Sequence, residues 1–193
     1  MDQALHLVES AVALGGSARS HRLLAEMRLL SPFSEMRSPV DALASARAAV
    51  TIDADPDNLA VLAYALALTG RSQEAVATIE QALRLSSRQP DWYRQVAGLS
   101  YLLAGEPARA AEEFGPLYGA GTFVNARWWP GWLFAASLAQ AGRVDEAAKV
   151  IGAAHKHRSE QSVEAVAHSL DGLADEKGLR LVLDGLKLAG MPD

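Results

Sequence analysis

The stretch that decides the fold runs from Trp92 to Phe114 and reads WYRQVAGLSYLLAGEPARAAEEF. Its apolar residues recur at intervals of three and four, which is typical of amphipathic helices. Gly105 interrupts this pattern, and the polar segment after it begins a second helical pattern. The stretch therefore predicts two helices joined by a tight turn.

The ending of the first predicted helix recurs along the chain. Similar segments end at Gly70 (LALTG), Gly105 (YLLAG) and Gly142 (LAQAG), with spacings of 35 and 37 residues. A small residue follows each glycine five positions later, as Ala75, Ala110 and Ala147. Seven residues further on, the first and third copies have Ala82 and Ala154, whereas the second has the larger Leu117. This departure argues against close packing of the second helix in the middle copy.

The middle copy resembles a tetratricopeptide repeat, whose period is about 34 residues. Gly98 and Tyr101 match the G-x-x-Y element of that family, and Ala110 and Phe114 match its A-x-x-x-F element. In such repeats the small residue lets two helices approach closely while the large residues fill the space between them. The resemblance implies an all-α fold, a right-handed solenoid of helical hairpins.

The whole chain is expected to form a single domain, residues 1–193, with divergent repeats at 1–53, clearer repeats at 54–157 and capping helices at 158–193. Ser72 and Asp91 are candidate N-caps. The glycines and prolines of residues 115–131 predict a longer connection between repeats. The predicted helices span 2–14, 18–30, 40–52, 57–69, 73–86, 91–104, 107–118, 127–141, 144–157, 161–170 and 177–189.

Composition excludes several classes of function. The net charge is −5 and no basic block is present, which disfavours a nucleic-acid partner. The chain has no cysteine, so a disulfide framework and a thiolate metal site are excluded, and a cytoplasmic location is expected. The longest apolar run, Leu59 to Leu68, has ten residues against the roughly 20 that a membrane span needs, and the N-terminus has no secretory pattern. We therefore expect no membrane partner.

A second resemblance narrows the first. Residues 92–114 are similar to the repeat arrays at the C-termini of bacterial regulators, among them nucleotide cyclase-like proteins and winged-helix transcription regulators. The ending LDGLKLAGMPD, residues 183–193, is similar to the closing helix of those arrays. The resemblance covers roughly residues 40–193 and includes no cyclase or winged-helix domain. It implies the interacting or sensing part of such a regulator.

In this family the first helix of each repeat faces the concave side, and aromatic anchors are typical of binding hot spots. When the three copies are aligned with the repeat pattern, Ala67, Leu102 and Ala136 also fall on that side. Two occupants of the surface stay open, a partner peptide or helix and the chain's own amphipathic segment Gly178–Gly190, which could fold back or cap the last repeat. The partner-binding residues that we predict are Tyr64, Trp92, Gln95, Leu99, Trp129 and Trp132.

The sequence nominates no catalytic, cofactor-binding or metal-binding residue. His155 and His157 lie two apart on a predicted helix and do not share a face, and no HExxH motif is present. The Gly119–Gly121 loop lacks the lysine and serine or threonine of a phosphate loop. We expect no enzyme but a scaffold that binds a protein or peptide, with homo-oligomerisation left open. The alternative is a ligand-sensing or regulatory module of a bacterial signalling or transcription regulator.

Overall fold

The computed structural model describes residues 2–31, 36–119, 129–157, 162–170 and 176–193. These residues form eleven helices and no strand, so the all-helical prediction is confirmed. The helices agree with the predicted ones to within two residues, although the starts predicted at 127 and 161 fall outside the described part. They are α1 Asp2–Ala13, α2 Ala18–Leu30, α3 Pro39–Ile52, α4 Pro56–Leu68, α5 Ser72–Leu85, α6 Asp91–Leu103, α7 Pro107–Gly119, α8 Trp129–Gln140, α9 Val144–His157, α10 Val163–Leu170 and α11 Glu176–Leu188.

The helix ends at the three recurring glycines share one hydrogen-bond pattern. The glycines have positive φ angles of 75°, 83° and 81°, a region that favours glycine because it has no Cβ atom. The amide of the next residue donates to the carbonyl five positions back, which is the Schellman ending of a helix. These bonds are Arg71 to Leu66 at 2.9 Å, Glu106 to Tyr101 at 2.8 Å and Arg143 to Leu138 at 2.8 Å.

The segments after these glycines also correspond. An arginine–glutamate pair spans the first turn of the following helix in each, with the order of charges reversed in the middle copy. The pairs are Arg71–Glu74 at 2.6 Å, Glu106–Arg109 at 2.7 Å and Arg143–Glu146 at 2.7 Å. The alanine one residue further on is fully buried in all three, as Ala75, Ala110 and Ala147.

Two predicted N-caps are wrong. Helices α5 and α6 begin at Ser72 and Asp91 themselves, and the residues before them, Arg71 and Pro90, make no side-chain cap bond. Arg71 is held by Glu74 instead, and Pro90 has the extended backbone that precedes a helix. Side-chain caps occur elsewhere, where Asp55 accepts a hydrogen bond from the amide of Asn58 at 2.8 Å at the start of α4.

The chain divides into two compact units, Met1–Gln89 and Pro90–Asp193. In the first unit, α2 packs with α3 and α4 with α5, while α4 also contacts α2 and α3, and α1 packs on α2. Because three helices contact α4, most of its residues are buried. Its Asn58 is buried, and the Nδ2 atom donates to the carbonyl of Asp53 at 2.9 Å.

In the second unit, α6 packs with α7 and α8 with α9, while α7, α6 and α11 also contact α8, and α10 packs on α11. The small-against-large contact of the middle copy is present here. A Cβ atom added to Gly98 would lie 2.7 Å from Cζ of Phe114, so the α7 ring rests directly on the α6 backbone. The single domain predicted for residues 1–193 stays a prediction.

Two predictions about α7 need correction. Leu117 does not loosen this helix, because its side chain is buried and α7 packs on both α6 and α8. The connection predicted for residues 115–131 is helical as far as Gly119, with Pro116 inside the helix, and residues 120–128 lie outside the described part. The ring of Tyr118 packs on Phe134 of α8 with centroids 5.3 Å apart, which holds the last turn of α7 in place.

Candidate functional site

Helix α6 carries three of the predicted binding residues on one face. Trp92, Gln95 and Leu99 are spaced by three and four residues, which aligns them along a helix. Trp92 and Gln95 are half-buried, whereas Leu99 is buried. The structure therefore brings the three together as predicted but leaves only the first two partly open to solvent.

Trp92 is held by an aromatic neighbour. Its ring meets that of Tyr93 edge-on, with centroids 4.4 Å apart and an interplanar angle of 83°. Tyr93 itself is almost fully buried. An indole fixed in this way offers apolar surface and one N–H donor with little loss of side-chain entropy on binding.

Helix α8 presents the other predicted tryptophans. Trp132 is buried, with 7 % of its surface exposed, and Ala136, four residues later, is fully buried. Helix α8 begins at Trp129, whose side chain lies outside the described part.

The C-terminal segment covers this face of α8. A Cβ atom added to Gly185 of α11 would lie 2.9 Å from Cα, Cβ and the carbonyl oxygen of Ala136, so the two helices are in backbone contact. The Nε2 atom of Gln140 donates to the carbonyl of Leu181 at 3.0 Å. Ala136 and Gln140 follow Trp132 at four-residue intervals, and the predicted binding face of α8 is thus occupied by the chain's own helix.

Tyr64 belongs to the first unit and lies on α4, where it is half-buried beside the fully buried Ala67. Burial raises the pKa of its hydroxyl, and the nearby charge of Arg37 opposes that shift. The hydroxyl is therefore neutral at physiological pH and can act as a hydrogen-bond donor.

Two arginines of the second unit join α6 to α7. Arg94 of α6 pairs with Glu113 of α7 at 3.0 Å. Arg109 donates to the hydroxyl of Tyr101 at 2.8 Å and lies 3.9 Å from the centroid of the same ring, a contact that the sequence pattern did not indicate. Within the described ranges, no group of three or more histidines and carboxylates lies close enough to hold a metal ion. The side chains of His155 and His157 are outside those ranges.

No helix of the described part is both long and apolar enough to cross a membrane. Comparisons with protein-family models, with curated proteins and with solved structures found no match to this chain.

Proposed function

We propose that this chain is a non-catalytic scaffold of tetratricopeptide type that binds a protein or peptide on the α6 face formed by Trp92 and Gln95. The observation that carries the proposal is the half-buried indole of Trp92, which packs edge-on against Tyr93 and shares its helix face with the Gln95 amide. Aromatic anchors of this kind contribute most of the binding energy in many interfaces, and the neighbouring amide adds directional hydrogen bonds.

The repeat part of the proposal is supported by correspondence between copies. Three helix pairs share the glycine ending, the arginine–glutamate pair and the buried alanine in the same register. The contacts of α8 agree with a layered stack, because α7 and α9 both pack on it and α6 also reaches it. A regular stack of helix pairs is the usual framework for an extended binding surface.

The test uses the full chain and a displayed peptide library. Peptides selected on the immobilised protein are measured by titration calorimetry against the wild type, Trp92→Ala and Gln95→Ala. We expect Trp92→Ala to weaken binding at least about 30-fold, which corresponds to the hot-spot range of about 2 kcal/mol or more. The matched control is Leu85→Ala, which shortens a half-exposed apolar side chain of the first unit and should leave affinity unchanged. Peptides that bind Trp92→Ala as tightly as the wild type would refute the proposed face.

One observation favours a second candidate, a ligand-sensing or regulatory module. Helix α11 covers the face of α8 that contains Trp132, so a ligand that displaced α11 would expose that face. A thermal-shift screen of small molecules tests this, because a ligand of the native state raises the melting temperature. Hits that also increase amide hydrogen exchange in α11 would support the regulatory role, and hits without that effect would contradict it.

A further inference from the structure

Helix α1 has two apolar faces. Leu5, Val8 and Val12 are half-buried on the side that packs against α2. A second stripe runs along the helix and just beyond its end at intervals of three, four and three residues, and all of its members are exposed. This outward stripe consists of Ala4, Leu7, Ala11 and Leu14.

The outward stripe contains two large apolar side chains that are open to solvent. Leu7 is 64 % and Leu14 is 89 % exposed. The amide of Leu14 donates to the carbonyl of Ser10 at 3.1 Å, so Leu14 continues the helical turn and stays aligned with the stripe. Because alanines lie between and before the two leucines in the same row, the stripe is one continuous apolar strip and not two scattered side chains.

The stripe carries no charge. Glu9 lies on another side of α1 and pairs with Arg28 of α2 at 2.7 Å. The residues beside the stripe, Gln3 and Ser10, are neutral, and the Ser10 hydroxyl is bonded to the carbonyl of His6 at 2.8 Å. A second copy of the same stripe would therefore bring no like charges together.

The order of large and small residues is self-complementary. If the stripe is reversed about a point level with residue 9, Leu14 falls opposite Ala4 and Leu7 falls opposite Ala11. Each leucine would then meet an alanine, so that two helices can approach closely, and the same surface serves on both copies as a two-fold interface requires.

We propose that two copies of this chain associate through α1, antiparallel and about a two-fold axis, with Leu14 of each copy packed on Ala4 of the other. A lipid surface fits this face less well. Helices that lie on membranes carry lysine and arginine on their polar side, whereas α1 has neither of these residues. This inference is independent of the peptide-binding proposal.

The size of the stripe sets the strength of the dimer. If a fully exposed leucine side chain offers about 100 Å², Leu7 and Leu14 together expose roughly 150 Å² per copy. A stable complex buries about 800 Å² on each partner. We therefore expect a reversible dimer with a Kd above about 10 µM, which forms as the protein is concentrated.

The orientation can be tested directly because the chain has no native cysteine. Leu14→Cys and Ala4→Cys chains are mixed and oxidised at about 0.5 mM, and each is also oxidised alone. We expect disulfide-linked heterodimers in the mixture. Two Leu14 positions in an antiparallel pair are separated by roughly 15 Å along the helix, too far for a disulfide, so neither chain alone should link efficiently. Leu14→Cys chains that link to each other as fast as the mixture would overturn the antiparallel arrangement.

Sedimentation equilibrium between about 10 µM and 1 mM tests association without cross-links. The wild type should shift from monomer to dimer over this range, and Leu7→Lys/Leu14→Lys should stay monomeric with an unchanged circular dichroism spectrum. The control is Leu188→Lys, which places a charge on a similarly exposed leucine of α11 and should dimerise like the wild type. A wild type that stays monomeric throughout would refute the proposal. The proposal would also be refuted if the wild type stayed monomeric alone but co-sedimented with phosphatidylserine vesicles, and if Leu14→Lys abolished that co-sedimentation.

Discussion

Replacing Gly185 by alanine tests whether α11 and α8 are in the backbone contact that the structure shows. The new Cβ atom would lie 2.9 Å from three atoms of Ala136, two of them backbone atoms that cannot rotate away. Normal carbon–carbon contacts lie near 3.5–4.0 Å. The helices would have to separate by roughly 0.6 Å or more, and the Gln140 to Leu181 hydrogen bond lies in the same contact.

Two effects of opposite sign determine the magnitude. Overpacking a close contact costs about 1–3 kcal/mol, whereas alanine is favoured over glycine inside a helix by about 1 kcal/mol. Because the neighbours here are backbone atoms, we expect the steric cost to win and the free energy of unfolding to fall by about 1–2 kcal/mol. Gly152→Ala is the matched control, since Gly152 is also helical but has no atom within 4 Å of the added Cβ. That control should raise the free energy of unfolding by about 0.5–1 kcal/mol.

Urea unfolding followed by tryptophan fluorescence measures both variants. All four tryptophans lie between residues 92 and 132, so the signal reports on the second unit, which contains both glycines. If Gly185→Ala stabilised the protein as much as Gly152→Ala, the helices would not be as close as described, and the reasoning would fail.

Three further predictions concern single side chains. Gly98→Ala should lower the free energy of unfolding by about 1–2 kcal/mol because its Cβ would meet the Phe114 ring at 2.7 Å. Adding Phe114→Leu should relieve part of that steric cost in a double-mutant cycle measured by urea unfolding. Strictly additive effects of the two substitutions would contradict the contact. Gly142→Ala meets no atom within 4 Å but has a φ of 81°, so strain alone should cost about 1 kcal/mol in the same assay; a gain like that of Gly152→Ala would disprove the positive φ. Burial raises the pKa of the Glu26 carboxyl, while the charge of Arg22 opposes this shift and that of Asp57 adds to it. The ionised form therefore costs stability at neutral pH, and this cost is lost as the pH falls through the raised pKa. Glu26→Gln should then stabilise the fold at pH 7 by less than about 1 kcal/mol after solvent screening, with no gain below about pH 4. Urea titrations across this pH range measure the difference. An equal gain at both pH values would contradict the raised pKa.

Local signals in the sequence predicted most of the helices. Gly70, Gly105 and Gly142 end helices because their backbone angles suit glycine, and this information is contained in a few neighbouring residues. At the end of α7 two local signals disagreed. The helix predicted for 107–118 ends within one residue of Gly119, whereas Gly115 and Pro116 predicted a connection that begins at residue 115. The segment is helical, and its Tyr118 packs on Phe134 of α8, a contact that no local pattern contains.

The candidate site was predictable only in part. The spacing of Trp92, Gln95 and Leu99 placed them on one face of α6, since helical periodicity is a local property. The occupant of the α8 face depends on Gly185 meeting Ala136, a contact between distant parts of the chain. No local pattern distinguishes that contact from an amphipathic helix that binds elsewhere. The outward stripe on α1 was missed for a similar reason, because an amphipathic pattern does not indicate which apolar positions find a neighbour.

The packing of α11 on α8 has a consequence for synthesis on the ribosome. Helix α8 ends at Gln140 and α11 ends at Leu188, so 48 residues must be added before the covering helix is complete. At about 5–20 residues per second, the side of α8 with Trp132 stays uncovered for about 2–10 s, much longer than helix formation takes. During translation this apolar side is therefore open to chaperones, or to the equivalent side of a neighbouring nascent chain on the same messenger RNA.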